Sequence, residues 1–287
     1  MKLIENIKVI DNIKEMKELV RNLQIEGKSL GFVPTMGYLH EGHLTLMREA
    51  VSKTDFVVVS IFVNPLQFGI DEDYEEYPRD LKRDLAFAAE VGVKAVFAPN
   101  SKEMYPAGYA TYVEVERLTE VLCGRSRRGH FRGVTTVVTK LFNIIQPDIA
   151  FFGQKDAQQV VVLRKMAADL NMNLRIEVVP IVREPDGLAM SSRNKYLAPE
   201  ERKAALVLSK SLELAKKLMR SGERKSAVLK KELENYITRE PKAKIDYVEI
   251  LSFPGMESTE SIDSDVIVAL AVYFGKTRLI DNIVLEV

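Results

Sequence analysis

The sequence predicts an α/β fold, a doubly wound parallel sheet followed by a smaller C-terminal α+β domain, and three observations carry that prediction. Asp55 to Val63 is a run of apolar and β-branched residues with little alternation, the pattern of a strand buried on both faces in a helix-covered parallel sheet. Residues 30–53 read as an apolar strand, a Pro/Gly turn and a helical pattern, so with the Asp55 run they make a βαβ opening. From about residue 198 the texture changes to two amphipathic helices and then three strand-like runs, the order of an antiparallel α+β unit. At 287 residues the chain exceeds the usual single core. The boundary is expected near 185–188, giving domains 1–186 and 187–287.

Each element has its own signal. Ile13, Met16, Leu19, Val20 and Leu23 recur at helical spacing up to Gly27, predicting a helix over 12–26, and a strand follows at about 29–35. Leu44, Leu46, Met47, Ala50 and Val51 predict a helix over 43–53. After the Asp55 strand come a helix over 79–91 and a strand over Ala95–Ala98. Residues 123–133 read as a Gly/Arg-rich loop, with four Arg between positions 125 and 132, leading into an apolar helix from Val134 to Ile145. Pro147–Phe152 is a strand, a helix opens within Gly153–Val160, and Arg175–Val182 is the last strand before the turn Arg183–Gly187. Pro199 opens one long helix to about Arg220, Ser221-Gly222 breaks it, and a second runs to about Arg239. Ile245–Leu251, Val266–Tyr273 and Leu279–Val287 complete the unit as strands.

Composition narrows the function classes. The 41 basic and 41 acidic residues cancel, so there is no electrostatic footprint for bulk nucleic-acid or membrane binding. With 46% apolar residues the chain can bury a large core. A single Cys, Cys123, excludes an intramolecular disulfide and fits a reducing compartment. Met1 to Asn6 reads as neither signal peptide nor membrane span, and a cytoplasmic location is expected. Lys/Glu richness with no Trp leans toward a thermophile.

The chemistry concentrates where strands end and helices begin. Two of the three His, His40 and His43, fall with Gly37 and Gly42 between the first strand of the βαβ unit and its helix. A helix N-terminus with free N–H groups and glycines that admit close approach suits a phosphate group, and a capped helix start with two solvated His is the competing reading. His-Glu-Gly-His is one residue short of the helical zinc motif, and no nearby Cys or third His completes a metal site. Asn64 and Gln67 lie where the second strand delivers groups to a ligand, and their amides suit hydroxyls and a carboxylate. The acidic run 71–76 reads as a solvated loop, and His130 as structural. The Arg-rich loop reads as a mobile lid over an anionic site more readily than as an RNA patch. Three of the chain's six Gln fall in residues 153–160, beside Lys155, a candidate phosphate ligand, and Asp156, a candidate N-cap. Ser191, Ser192 and Arg193 offer several donors to a polyphosphate, or cap the next helix.

Together these motifs resemble the pantothenate synthetase family, the ligases that join pantoate to β-alanine with ATP. Pro34-Thr35-Met36-Gly37, His40-Glu41-Gly42-His43, Asn64-Pro65-Leu66-Gln67-Phe68, Gly153-Gln154-Lys155-Asp156 and Met190-Ser191-Ser192-Arg193-Asn194 carry the resemblance, in that order along the chain, and Gly129 to Val134 extends it. Ala157 and Arg128 depart from it, where an aromatic and a Pro are common. The H-x-x-H and Ser-Ser-Arg elements are also similar to signatures of class I aminoacyl-tRNA synthetases and nucleotidylyltransferases, adenylyl-transferring enzymes on a Rossmann-like fold.

The resemblance implies a pantoyl-adenylate intermediate with release of pyrophosphate and AMP. Met36, Gly37, His40 and His43 would cradle ATP, with His43 as proton donor. Lys155 and the loop of Met190, Ser191, Ser192 and Arg193 would hold the polyphosphate, Gly153 and Asp156 the nucleoside, and the backbone of Val182 the adenine. Gln67 and Gln159, with Asn64, would bind pantoate. Mg²⁺ would bridge the phosphates, with Asp84 as a protein ligand. A homodimer is the expected assembly, and the C-terminal domain would act as a lid. Another adenylyl-transferring enzyme, or a nucleotide-binding module without turnover, are the alternatives.

Overall fold

The computed structural model describes residues 7–69 and 72–287. Met1–Asn6 and Asp71 of the acidic run, on which two of the expectations above rest, lie outside the described residues. The chain forms two compact units. The first comprises residues up to Thr119, Arg127–Gln154 and Gln159–Pro180; the second comprises Glu120–Ser126, Lys155–Gln158 and Ile181–Val287.

The first unit is a six-stranded parallel sheet. In chain order its elements are β1 (Lys8–Ile10), α1 (Ile13–Ile25), β2 (Leu30–Thr35), α2 (Glu41–Lys53), β3 (Phe56–Ile61), α3 (Leu81–Glu90), β4 (Ala95–Phe97) and α4 (Ser101–Met104). After α5 (Leu122–Ser126), which belongs to the second unit, come α6 (His130–Ile145), β5 (Ile149–Gly153), α7 (Ala157–Asp169) and β6 (Arg175–Val179). The strand order is β1-β4-β3-β2-β5-β6, all parallel. Phe32, Val33, Val58, Val59, Val96 and Phe97 are fully buried, as strands covered on both faces must be. The chain winds from β2 outward to β3 and β4, then returns to the other side of β2 as β5. That reversal puts the switch point, where ligands bind in such sheets, at the carboxyl ends of β2 and β5.

The second unit contains α8 (Pro199–Ala204), α9 (Val207–Arg220), α10 (Ser226–Ile237) and the antiparallel sheet β7 (Ala243–Ser252), β8 (Val266–Phe274), β9 (Thr277–Leu285). Leu208, Leu212 and Ala215 of α9 and Leu229, Leu233 and Ile237 of α10 pack on Val266, Val268, Leu270 and Val272 of β8 in one apolar core.

Two sequence expectations are corrected, and one strand went unread. The single helix from Pro199 is two, since the chain turns at Ala205-Leu206 between α8 and α9. The loop 123–133 is largely helical: Leu122–Ser126 forms α5, and α6 begins at His130, with Gly129 at φ +80° as its N-cap. The three-residue edge strand β1 has no expectation to match it, because Lys8 and Val9 are exposed and only Ile10 is buried.

Candidate active site

At the carboxyl end of β2 the chain enters a loop whose amides are almost all used. Gly37 N–H donates to Thr35 Oγ1 at 3.2 Å, and Thr35 Oγ1 donates to the Ser60 carbonyl at 2.8 Å. Tyr38 and Leu39 N–H donate to the two oxygens of Asp84, each at 2.7 Å. His40 N–H donates to His43 Nδ1 at 3.3 Å, and Gly42 N–H to His40 Nδ1 at 3.2 Å. The expectation of free N–H groups at this helix start is corrected in part: His40 Nδ1 takes that of Gly42 and the His40 carbonyl takes that of His43. Gly37 and Tyr38 adopt left-handed backbone, φ +82° and +51°, and at Gly37 a Cβ would stand 2.9 Å from Asp84 Oδ2 and from Ile61, so the position requires glycine.

What the loop presents is the imidazole pair. His40 and His43 cap α2 reciprocally, with ring centroids 4.0 Å apart. Each Nδ1 accepts a backbone N–H, so each Nδ1 is unprotonated and the ring proton sits on Nε2. Capping and function are compatible, because the cap uses Nδ1 of each ring and so places the ring proton on Nε2.

Beyond β3, Asn64 opens a 3₁₀ turn, Pro65–Gln67. Asn64 is 1% exposed and its amide is saturated. Nδ2 donates to Gln67 Oε1 and to the Gly133 carbonyl, both at 3.1 Å, while Oδ1 accepts from Tyr105 Oη at 2.8 Å and Leu66 N–H at 3.3 Å. A side chain with all four positions occupied inside the protein does not bind substrate. The assignment of Asn64 as a pantoate ligand is thus corrected; it orients Gln67, whose Nε2 lies 3.1 Å from Met36 Sδ. Burial pushes the Tyr105 hydroxyl well above its ordinary pKa, so it stays protonated to hold Asn64.

The start of α6 fixes the same turn from the other side. His130 Nδ1 meets the Gln67 carbonyl at 2.8 Å, and its Nε2 meets Arg127 Nη1 at 3.0 Å. Arg can only donate, so Nε2 accepts and Nδ1–H donates. Arg127 also pairs with Glu72 at 2.7 and 2.5 Å. Burial opposes the charge on Glu72, but the bonds and charge of Arg127 prevail and hold its pKa below the ordinary value. At Gly133 a Cβ would meet the Leu66 carbonyl oxygen at 2.2 Å, so α6 touches the turn backbone to backbone. Gly153 ends β5, beside β2, and Gln159, half-buried in the first turn of α7, makes no side-chain hydrogen bond among the described residues.

In the second unit, Lys155 Nζ lies 3.4 and 3.5 Å from the Asp156 carboxylate, and the Lys155 carbonyl accepts from Asn282 Nδ2 of β9 at 2.9 Å. Gln158 donates to the Val121 carbonyl and accepts from Cys123 N–H, anchoring α5. Val182 and Met190 are joined by a bond from Met190 N–H to the Val182 carbonyl at 3.0 Å, the base of a short hairpin bridged at Arg183 and Ala189. Arg183 ties that hairpin to β9 through a bidentate pair with the buried Asp281, at 2.7 and 3.0 Å. Ser191 caps the 3₁₀ turn Ser192–Tyr196 by accepting from Arg193 N–H at 3.2 Å. Ser192 and Arg193 are half-buried.

A family model for pantoate-beta-alanine ligase matches residues 8–284. The chain belongs to the pantoate-beta-alanine ligase family. Pantothenate synthetase of Pelotomaculum thermopropionicum is 61% identical over 96% of this chain and 98% of its own, and that of Thermotoga neapolitana is 56% identical over 97% and 100%. Among solved structures, pantothenate synthetase from Thermus thermophilus matches with a TM-score of 0.92 at 43% identity, over 96% of this chain and 99% of that one. Pantoate-beta-alanine ligase from Francisella tularensis, complexed with beta-gamma ATP and beta-alanine, matches with a TM-score of 0.80 at 37% identity, over 96% and 97%.

As a pantoate-beta-alanine ligase the protein is an enzyme of pantothenate synthesis on a Rossmann-like fold. Asp84, the residue expected to meet the metal, is bound within the protein itself. Asp84 is 1% exposed, both its oxygens are engaged by backbone N–H, and burial raises its pKa against those bonds. Among the described residues no group of three or more His, Cys, Asp or Glu is placed to hold a metal ion. No described helix is long and apolar enough to cross a membrane. Asp84, Arg83, Tyr105 and Gly133 hold the 37–40 loop and the 64–67 turn, which carry the candidate site residues, yet went unrecognised in those roles. Only Gly133, a glycine heading an apolar helical run, carried a visible signal.

Proposed function

We propose that this ligase works with ATP through a pantoyl-adenylate intermediate. The pantoate carboxylate attacks the α-phosphorus of ATP, and pyrophosphate leaves with the bridging electron pair. The amine of β-alanine then attacks the acyl carbon, loses a proton, and AMP departs. The observation that carries this reading is the imidazole pair, placed together at the start of α2, whose Nδ1 atoms accept backbone N–H groups, so that in this reading the protons on Nε2 are the ones turned to phosphate oxygens. Charge builds on the phosphates in the first step, so positioning and electrostatics supply the stabilisation. The Francisella relative, complexed with beta-gamma ATP and beta-alanine, supports both co-substrates.

In this reading Met36, Gly37, His40 and His43 cradle ATP, and His43 is the proton donor. Lys155 and Met190 to Arg193 hold the polyphosphate, Gly153 and Asp156 the nucleoside, and Val182 the adenine. Gln67 and Gln159 bind pantoate through neutral amides. A phosphorylated substrate would call for Arg or Lys at those positions, which disfavours the alternative adenylyl transferases. Mg²⁺ would be held by the phosphate oxygens of the nucleotide, and no step is assigned to a metal on Asp84. The second unit acts as a lid, and the enzyme assembles as a homodimer.

The test is ATP–pyrophosphate exchange with Mg²⁺, with and without pantoate and in the absence of β-alanine. Exchange that requires pantoate is expected, and exchange indifferent to pantoate would overturn the adenylate reading. His43→Ala and Lys155→Ala should lose exchange while remaining folded, whereas Gln67→Ala should raise the KM for pantoate far more than that for ATP.

A further inference from the structure

We propose that Asp84, together with Arg83, is the positioning clamp of the nucleotide loop, setting the backbone of Tyr38 and Leu39 and through it the two imidazoles. The inference rests on the reading of Met36 to His43 as the ATP cradle. The two residues, adjacent on α3, grip the loop from both sides of its polarity. Asp84 accepts the N–H groups of Tyr38 and Leu39 at 2.7 Å each, and Arg83 Nη2 donates to the Leu39 carbonyl at 3.0 Å. The Arg83 guanidinium lies over the Tyr38 ring, 4.6 Å from its centroid, and 4.9 Å from that of Phe87.

The loop has a shape that needs such a grip. Tyr38 is held at φ +51°, a conformation unfavourable for a residue with a Cβ, and strained backbone persists only where surrounding contacts determine it. The next residue after Leu39 is His40, whose N–H is the donor to His43 Nδ1. A shift at Leu39 therefore pulls the imidazole pair apart. Stability alone is a poor reason for a carboxylate here. Asp84 is almost wholly buried, burial works against its ionised form, and a buried charge is tolerated rather than favoured. Its two oxygens are the feature that matches the loop, since two convergent N–H groups need two acceptors on one rigid planar group.

Asp84→Asn tests this, because the amide keeps the shape but its NH₂ end cannot accept the second N–H. In pantoate-dependent ATP–pyrophosphate exchange, run at Mg²⁺ matched to ATP and again at excess Mg²⁺, the KM for ATP is expected to rise about tenfold to a hundredfold at both, the range of one charge-assisted backbone bond. The KM for pantoate should stay close to wild type. Arg83→Ala, which removes the other jaw, should show a smaller shift with the same selectivity for ATP, and it decides the matter alone if Asp84→Asn does not fold. Equal rises in both KM values, a lowered Tm with unchanged KM, or recovery of Asp84→Asn on raising Mg²⁺ would each overturn the clamp, the last in favour of a metal ligand. His43→Ala is measured alongside. If it leaves the ATP requirement unchanged, the cradle itself falls and the clamp with it; if it responds and neither α3 variant does, the clamp alone falls.

Discussion

Gly133 lies four residues into α6, where alanine ordinarily favours a helix by about 1 kcal/mol. Here the added Cβ would stand 2.2 Å from the Leu66 carbonyl oxygen, 2.4 Å from its carbon and 2.6 Å from Gln67 N. A relaxed C···O contact is about 3.3 Å, so α6 or the 65–67 turn must move by about 1 Å. All three atoms are backbone, and no rotamer change relieves them. Overpacking of this kind costs about 1–3 kcal/mol, and disturbing the Asn64 Nδ2 bond to the Gly133 carbonyl adds about 1 kcal/mol. Setting the gain in helix propensity against the lost bond leaves a net destabilisation of about 1–3 kcal/mol. The functional loss is larger, because a displacement of about 1 Å at a substrate-positioning group lowers the rate about 100-fold. Gly133→Ala is therefore expected to melt a few degrees lower and to lose about two orders of magnitude in kcat/KM for pantoate. Pantoate saturation curves in the exchange assay and a thermal melt measure both. A variant with wild-type kcat/KM for pantoate and an unchanged or raised Tm would refute the argument that this turn positions Gln67.

Two further outcomes are expected. Because Arg127 holds Glu72 below its ordinary value of 4.5, the stability from that pair is fully present above pH 4.5 and is lost as pH falls through the depressed value. Melts taken from pH 7 downward should decline more steeply below pH 4.5 for wild type than for Glu72→Gln, and parallel curves would contradict the assignment. Arg183→Leu removes the partner of Asp281, whose side chain is 0% exposed, and is expected to cost about 3–5 kcal/mol in denaturant unfolding; a loss under about 1 kcal/mol would mean that Asp281 finds another partner.

The fold was legible wherever burial imposes a pattern over several residues. The uninterrupted apolar run of β3 and the spacing of Met16, Val20 and Leu23 in α1 each repeat one physical demand often enough to be read. The break between α8 and α9 was not, because Ala205 and Leu206 are good helix formers that keep right-handed helical backbone, and only the hydrogen bonds tighten there, Leu206 N–H to the Lys203 carbonyl and Leu208 N–H to the Ala205 carbonyl. The start of α6 was hidden for the opposite reason. Gly129 and Gly133 look like loop residues, but one is a left-handed cap and the other a point of backbone contact. In the site, His40 and His43 stood out by residue type. Asn64 and Gln67 carry the same amide three positions apart, and nothing in the sequence says that Asn64 is turned inward to Tyr105 and Gly133. Asp84 was noticed for its charge; that its partners are amides 45 and 46 positions away is information only the folded chain holds.

The amides of residues 37 to 40 have a consequence for how the free enzyme behaves in time. Each is tethered to a side-chain acceptor before any ligand arrives, so the loop resembles one rung after another of a ladder whose uprights are Thr35, Asp84 and His43. In deuterated water these four protons are expected to exchange slowly in the unliganded protein, unlike those of an ordinary connecting segment, and to gain little further protection when a nucleotide binds. The entropy of ordering the loop is met when the chain folds, leaving the binding energy of the nucleotide to be spent elsewhere.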